Sequence, residues 1–448
     1  MQTTPLKYLM EYRLQKAAEL LVTTDEANRV FENGCLVWED DTILALNDFS
    51  MDVDEVIDGQ GGLLLPGMVN THCHLGMIPF RSLGDDCPDR LRRFLFPLEN
   101  AAMTRELAQA SARYAAAEMM LGGVTTVFDM YYFEDALAEA MVGMNMRAVL
   151  AETIVDFANC DSDVPYGGLA LGERFIREWK GRHPLITPAI GPHATNTNSA
   201  EVLKQAQAIA ERFDVLLSLH TAEMDYEMET FRQERNQTPV EYLESIGLLS
   251  PHLVAAHCIH VNDQDLALMA KHGCRIAHCI GSNMKAGKGI APLKKMVAHH
   301  IPVGLGTDGA SSGNTLDLFA QLPLIGKAHK TANHDRALFP AKEILPLATI
   351  GGARVLNLDD QIGSLTPGKK ADLVLVETQS ANMFPIYDPF SALVYSAHAG
   401  NVDSVWINGV QTVKHKQLVR QDLRCLREDL EAKMQFFKAE ALRRSEDL

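Results

Sequence analysis

The chain has 448 residues, 47% hydrophobic and 22% charged, a balance that builds a folded core and argues against disorder. Its formal net charge of −17 argues against nucleic acid as a partner, since phosphate binding needs a basic surface, and disfavours anionic membranes. Eight cysteines without a regular framework fit a reducing compartment, so a cytoplasmic location is expected.

The opening segment to about Leu21 reads as helical. Lys7, Glu11, Arg13, Lys16 and Glu19 interrupt it, so neither a leader peptide nor a membrane span is expected there. Between Val30 and Val56 the runs Cys35–Trp38 and Thr42–Leu46 are split by Asn-Gly and Asp-Asp turns, which predicts β-hairpins. Leu63–Val69 then reads as the first of eight apolar runs of strand length. The others are Thr125–Asp129, Arg147–Glu152, Leu185–Ile190, Val215–His220, Leu253–His257, Arg275–His278 and Pro302–Asp308. Eight strands interleaved with helices predict an α/β chain folded as a (β/α)8 barrel of the TIM type. After about Asp360 the β texture returns in Ala371–Val376 and Val402–Gly409, followed by a charged helical tail from Leu418 to Leu448. The expected organisation is a catalytic barrel over 66–360 and a small composite β-sandwich domain made from both chain ends. Residues 1–65 supply one part of the sandwich, and 361–448 supply the other part together with the tail.

Chemistry concentrates where the apolar runs end. His72 and His74 sit at the end of the first run, spaced so that both rings point the same way from a strand. His220 ends the fifth run and Asp308 the eighth, which completes three nitrogens and a carboxylate around one divalent metal ion with room for water. Zinc is the first choice, and iron suits the same donors. The fourth run, Thr187–His193, holds no lysine that could be modified to bridge two metals, so a single ion is expected. Glu223, three residues past His220, is placed to shuttle a proton to a leaving group. His257 can orient the water or a developing oxyanion, and Asp308 can also accept the water's proton. The stretch His257–Cys279 carries several further thiols and imidazoles, but it lacks the short-spaced cysteine pairs of a zinc knuckle.

The runs Pro66–His74, Leu219–Glu223, Ala256–His260, His278–Met284 with Gly289–Pro292, and Gly306–Gly309 resemble, in this order, the motifs of the amidohydrolase superfamily. Gly363–Val374 is similar to the strand that returns to its composite β domain. Within the superfamily the chain resembles the branch of 5'-methylthioadenosine/S-adenosylhomocysteine deaminases and triazine hydrolases. The resemblance implies His72, His74, His220 and Asp308 as metal ligands and Glu223 and His257 as catalytic. It also implies Glu99 as a ribose-binding residue, with Arg147 and His193 as further substrate contacts. For Arg147, which opens a buried strand, pairing with Asp129 or Glu152 is the plain structural alternative. Phe96 stands where the family often has tryptophan, so the substrate pocket differs while the metal motifs do not.

The expected activity is hydrolysis of a C–N bond in a cyclic amidine. A deaminase would remove an exocyclic ring amine from a purine nucleoside-like heterocycle (adenosine, S-adenosylhomocysteine or methylthioadenosine type) by way of a metal-activated hydroxide. The alternative is hydrolysis of another amino- or chloro-substituted heterocycle: a free purine, pterin, cytosine or triazine. The resemblance further implies a homo-oligomer.

Overall fold

A computed structural model describes residues 7–11 and 20–445 of the protein. Eight strands form one sheet in consecutive order: β1 (Met68–Cys73), β2 (Val124–Tyr131), β3 (Arg147–Ile154), β4 (Ile186–Pro192), β5 (Leu217–Thr221), β6 (Leu253–His257), β7 (Arg275–His278) and β8 (Val303–Leu305). From β3 to β8 neighbouring strands pair in parallel. Past the end of β8, Asp308 N donates to His72 O at 3.0 Å, bringing the last strand back to the first. The sheet is therefore a nearly closed barrel, and it is interleaved with helices as expected. Almost every residue of these strands is buried, which explains why they read as continuous apolar runs and not as alternating ones.

Contacts divide the chain into two compact units. One gathers the described residues up to Asn70, Glu118–Thr126 and Asp317–Arg420; the other gathers Thr71–Ala117, Val127–Leu316 and the described residues from Gln421 on. The first unit holds two further sheets. Thr42–Leu46, Leu36–Glu39, Lys7–Glu11 and Glu55–Asp58 form a four-stranded one. A seven-stranded sheet joins segments from both chain ends, with Leu63–Pro66 antiparallel to Leu373–Val376 and Leu64 opposite Leu375. Leu36, Trp38 and Ile43 of the smaller sheet bury against Leu64, Leu373, Leu375 and Trp406 of the larger. The rings of Trp38 and Trp406 meet edge to face at 6.1 Å. Truncating a leucine in such a core costs about 2–5 kcal/mol.

Two expectations need correction. The opening is not helical where it is described: Lys7–Glu11 is a strand, antiparallel to Leu36–Glu39 and parallel to Glu55–Asp58, and Leu20–Val22 is another. Neighbouring strands supply its hydrogen bonds, and this tertiary pairing overrides local helical preference. The rest of the expected helix, 1–6 and 12–19, lies outside the described residues. The run Leu63–Val69 is likewise two strands in different sheets, parted at Pro66-Gly67. Gly67 donates its N–H to Asp372 O, whereas Met68 donates to Gly123 O. A Cβ on Gly67 would lie 2.0 Å from Thr125 Oγ1, so only glycine passes there.

The tail forms helices Leu423–Lys433 and Gln435–Ser445, the first capped by the Asp422 side chain. Its Phe437 ring packs edge-on against Phe80 at 4.7 Å. No helix among the described residues is long and apolar enough to cross a membrane.

Candidate metal centre and active site

The C-terminal ends of β1, β5, β6 and β8 converge. His72 lies within β1 and His74 just beyond it; His220 lies in β5, His257 ends β6, and Asp308 follows β8. Ala222, His257 and Asp308 have left-handed backbones, with φ of 48°, 70° and 62°. Such conformations cost non-glycine residues roughly 1–2 kcal/mol each, and they turn the chain sharply at the strand ends. Strain of this kind clusters at functional sites.

The ligand nitrogens of His72, His74 and His220 all lie within 4.8 Å of one another, and no other group of this kind is found among the described residues. The second nitrogens explain their orientation. His74 Nδ1 bonds Met130 O and His220 Nδ1 bonds His193 O, both at 2.6 Å. A carbonyl can only accept, so each ring carries a proton on Nδ1, which turns its Nε2 inward to the cluster. Asp308 Oδ1 approaches His74 Nε2 at 3.2 Å and also accepts the Gly309 N–H. Three inward imidazole nitrogens beside one carboxylate are a donor set that fits a divalent cation.

Electrostatics among the protein groups agree. Burial, reinforced by neighbouring imidazoles, pushes His72 and His220 well below the ordinary histidine range. Burial would lower His74 too, but the hydrogen bond and charge of Asp308 bring it up to about 9. The cluster thus resists protons at two of its three nitrogens and seeks positive charge beside Asp308.

A cavity of about 260 Å³ opens on this cluster. Glu223, His257, His193 and Glu99 all line it. Glu223 Oε1 lies 3.6 Å from His257 Nε2, and His257 Nδ1 is held by Asn283 Oδ1 at 2.8 Å. His193 packs on His220, ring centroids 4.7 Å apart, and burial lowers it to about 4, so it is neutral near pH 7. Glu99 is buried and accepts the Tyr131 hydroxyl at 2.5 Å; burial raises its carboxyl to about 7.

Arg147 is not brought to the site. It opens β3, whereas Thr153 near the other end of that strand lines the cavity. Six residue steps along the strand separate them by roughly 20 Å. The expected contact fails because Arg147 lies at the wrong end of its strand. Lys288, which the sequence did not single out, lines the cavity instead and holds Glu223 Oε1 at 2.5 Å. Burial alone would raise the Glu223 carboxyl, but His257 and Lys288 outweigh it and hold that group far below the usual carboxylate range.

The family described as the amidohydrolase family matches residues 63–412. The chain belongs to that family. This amidohydrolase is 37% identical over 413 residues to a protein named 5-methylthioadenosine/S-adenosylhomocysteine deaminase from Syntrophobacter fumaroxidans, covering 90% of this chain and 93% of that one. It is similar in structure to an adenosine deaminase from Xanthomonas campestris with bound zinc, at a TM-score of 0.92 and 27% identity over 96% of this chain and 98% of that one. The fold is also shared, at a TM-score of 0.88 and 24% identity, by an atrazine chlorohydrolase from Arthrobacter aurescens, over 95% of this chain and all of that one. Family and relatives together make this amidohydrolase an enzyme, a hydrolytic deaminase.

Proposed function

We propose that the enzyme deaminates adenosine-type nucleosides, 5'-methylthioadenosine and S-adenosylhomocysteine foremost, releasing ammonia and leaving a ring carbonyl. The observation that carries this reading is one cavity uniting the histidine cluster, the Glu223–His257 pair and a buried Glu99. Relatives named for such substrates support it.

His72, His74, His220 and Asp308 would hold one divalent cation, with zinc preferred because the Xanthomonas protein carries it. Bound there, the cation supplies Lewis acidity that makes water nucleophilic near neutral pH. Glu223, ionised at rest, takes a proton from the attacking water and passes it to the ring nitrogen next to the reacting carbon. His257 has its Nε2 turned to the Glu223 side of the cavity by Asn283, where it steadies the oxygen that becomes the ring carbonyl. The exocyclic nitrogen leaves as ammonia, its third hydrogen coming from the water. His193, neutral, donates to or accepts from the base, and Glu99 accepts from the ribose hydroxyls.

The test is ammonia release from 5'-methylthioadenosine, S-adenosylhomocysteine and adenosine against free adenine, guanine, cytosine and aminotriazines, with bound metal measured in the same samples. Ribosides should be turned over at a higher kcat/KM than bases, and Glu99→Ala should remove that preference. If free bases or triazines are preferred by the wild type, the nucleoside assignment is wrong.

A further inference from the structure

Glu223 makes its contacts asymmetrically. Lys288 Nζ at 2.5 Å and His257 Nε2 at 3.6 Å both approach the same oxygen, Oε1. Among the described residues no hydrogen bond reaches Oε2, and Glu223 faces the cavity. The carboxylate's backbone is fixed as well, since Glu223 N donates to Glu227 Oε2 at 2.9 Å.

Lys288 is delivered to this spot by a built turn. The helix Ile280–Lys285 ends with Gly287 N donating to Met284 O and Lys288 N donating to Asn283 O. Gly287 and Gly289 take φ of +65° and +121°, conformations that fold the chain back after so short a helix. Asn283 therefore serves both neighbours of Oε1: its carbonyl anchors Lys288 and its side chain orients His257. Lys285, three residues earlier, pairs with Asp85 at 2.8 Å instead, so the contact to Glu223 is particular to Lys288. A buried ion pair adds little net stability, because desolvating both charges offsets their attraction. Placement of one oxygen is the better account of this one.

We propose that Lys288 is a positioning residue for proton transfer: by clamping Oε1 of Glu223 it leaves Oε2 as the oxygen that moves protons between water and the substrate ring. The inference rests on the deaminase reading above. As the water oxygen bonds to the ring carbon, its O–H breaks and the proton goes to Oε2. From Oε2 the proton passes to the ring nitrogen, while Lys288 keeps its three protons throughout. Fixing one carboxylate oxygen removes rotational freedom that proton transfer would otherwise have to freeze in the transition state.

The experiment compares wild type, Lys288→Met and Lys288→Arg for ammonia release from 5'-methylthioadenosine, with metal content and thermal unfolding measured alongside. Lys288→Met should lower kcat by about tenfold or more, leave KM within about threefold and keep the metal; Lys288→Arg should restore most of the loss. If Lys288→Met does not fold, Lys288→Ala, which also removes the donor, is read the same way. An unchanged kcat, a loss carried by KM, or an arginine variant no better than methionine overturns the role of Lys288 alone. A wild type that releases no ammonia from any adenosine-type nucleoside removes the deaminase reading and this inference together.

Discussion

Two buried clusters of like ionisable groups lie close together along the barrel strands, and they are tolerated by opposite means. At the strand ends His72, His74, His193, His220 and His257 pack together with neighbouring centroids 4.7–5.6 Å apart, beside the carboxylate of Asp308. On β2, β3 and the segments after them lie Asp129, Glu134, Glu152 and Asp161, none of which forms an ion pair with lysine or arginine among the described residues. Each of these acids is spent on the backbone: Asp129 accepts Leu75 N–H, Glu134 accepts Tyr131, Glu152 accepts Glu134 and Asp161 accepts Phe133. The leftover oxygens, Asp129 Oδ2, Glu134 Oε2 and Glu152 Oε1, have no other donor among the described residues. Burial pushes all four carboxyls up, Asp129 to about 6, so each holds its proton to a higher pH than an exposed acid would. The histidines instead give one nitrogen to the backbone and turn the other inward. A site differs from a scaffold in where the spare atoms point.

The comparison breaks most easily at its metal end, where the largest effect is expected. His220→Asn should strip the bound metal and lower turnover by about 10³-fold or more. Glu134→Gln, in the acidic cluster, should keep both. Chelation of the wild type should likewise lower the melting temperature, because a ligand at about 1,000 times its Kd contributes about 4 kcal/mol. Metal analysis and activity on the two variants decide the matter: a Glu134→Gln protein that loses its metal would make the two clusters one site.

The same contrast explains what the sequence could disclose. His72, His74, His220, His257 and Asp308 were readable because each ends an apolar run, and a polar group there must face either a barrel mouth or a costly burial. Strand direction settles Arg147 against a substrate role, since the same strand carries its chemistry at the far end, near Thr153. Leu63–Val69 looked like one strand because both sheets bury its residues and no polar position marks the crossing at Gly67. Lys288 carries no local signal at all. A lysine between two glycines reads as solvated loop, and only the turn anchored on Asn283 brings it to Glu223.

Glu99 is the intermediate case, a single buried carboxyl that accepts the Tyr131 hydroxyl. Burial raises it to about 7 from an ordinary value of 4.5. The folded chain therefore holds this proton up to about pH 7, whereas the unfolded chain releases it near 4.5. Its contribution to stability falls as pH rises through that window and is constant above it. Glu99→Gln keeps an acceptor for Tyr131 and removes the penalty. It should stabilise the protein by up to about 3 kcal/mol at pH 8 and by nothing at pH 4.5. Urea unfolding at the two pH values checks this, and equal gains at both would show that the carboxyl is not charged at a cost in the folded state.

The smallest effect sharpens the acidic end. Glu134 titrates well above its ordinary range because burial, then the charges of Asp129 and Glu152, disfavour its ionised form. Folding there retains a proton that the unfolded chain loses, so the wild type grows less stable as pH rises above about 4.5. Glu134→Gln still offers an oxygen to Tyr131 N–H and an N–H to Asp129, mimicking the protonated acid. Its stability at pH 5.5 should match the wild type within about 0.5 kcal/mol, and its decline towards pH 8.5 should be shallower. Glu134→Ala leaves the Tyr131 N–H without its acceptor and should cost about 1–3 kcal/mol at either pH. If glutamine is as damaging as alanine at pH 5.5, the group is ionised in the folded protein. The acidic cluster would then need a cation of its own, and the distinction between the two regions would disappear.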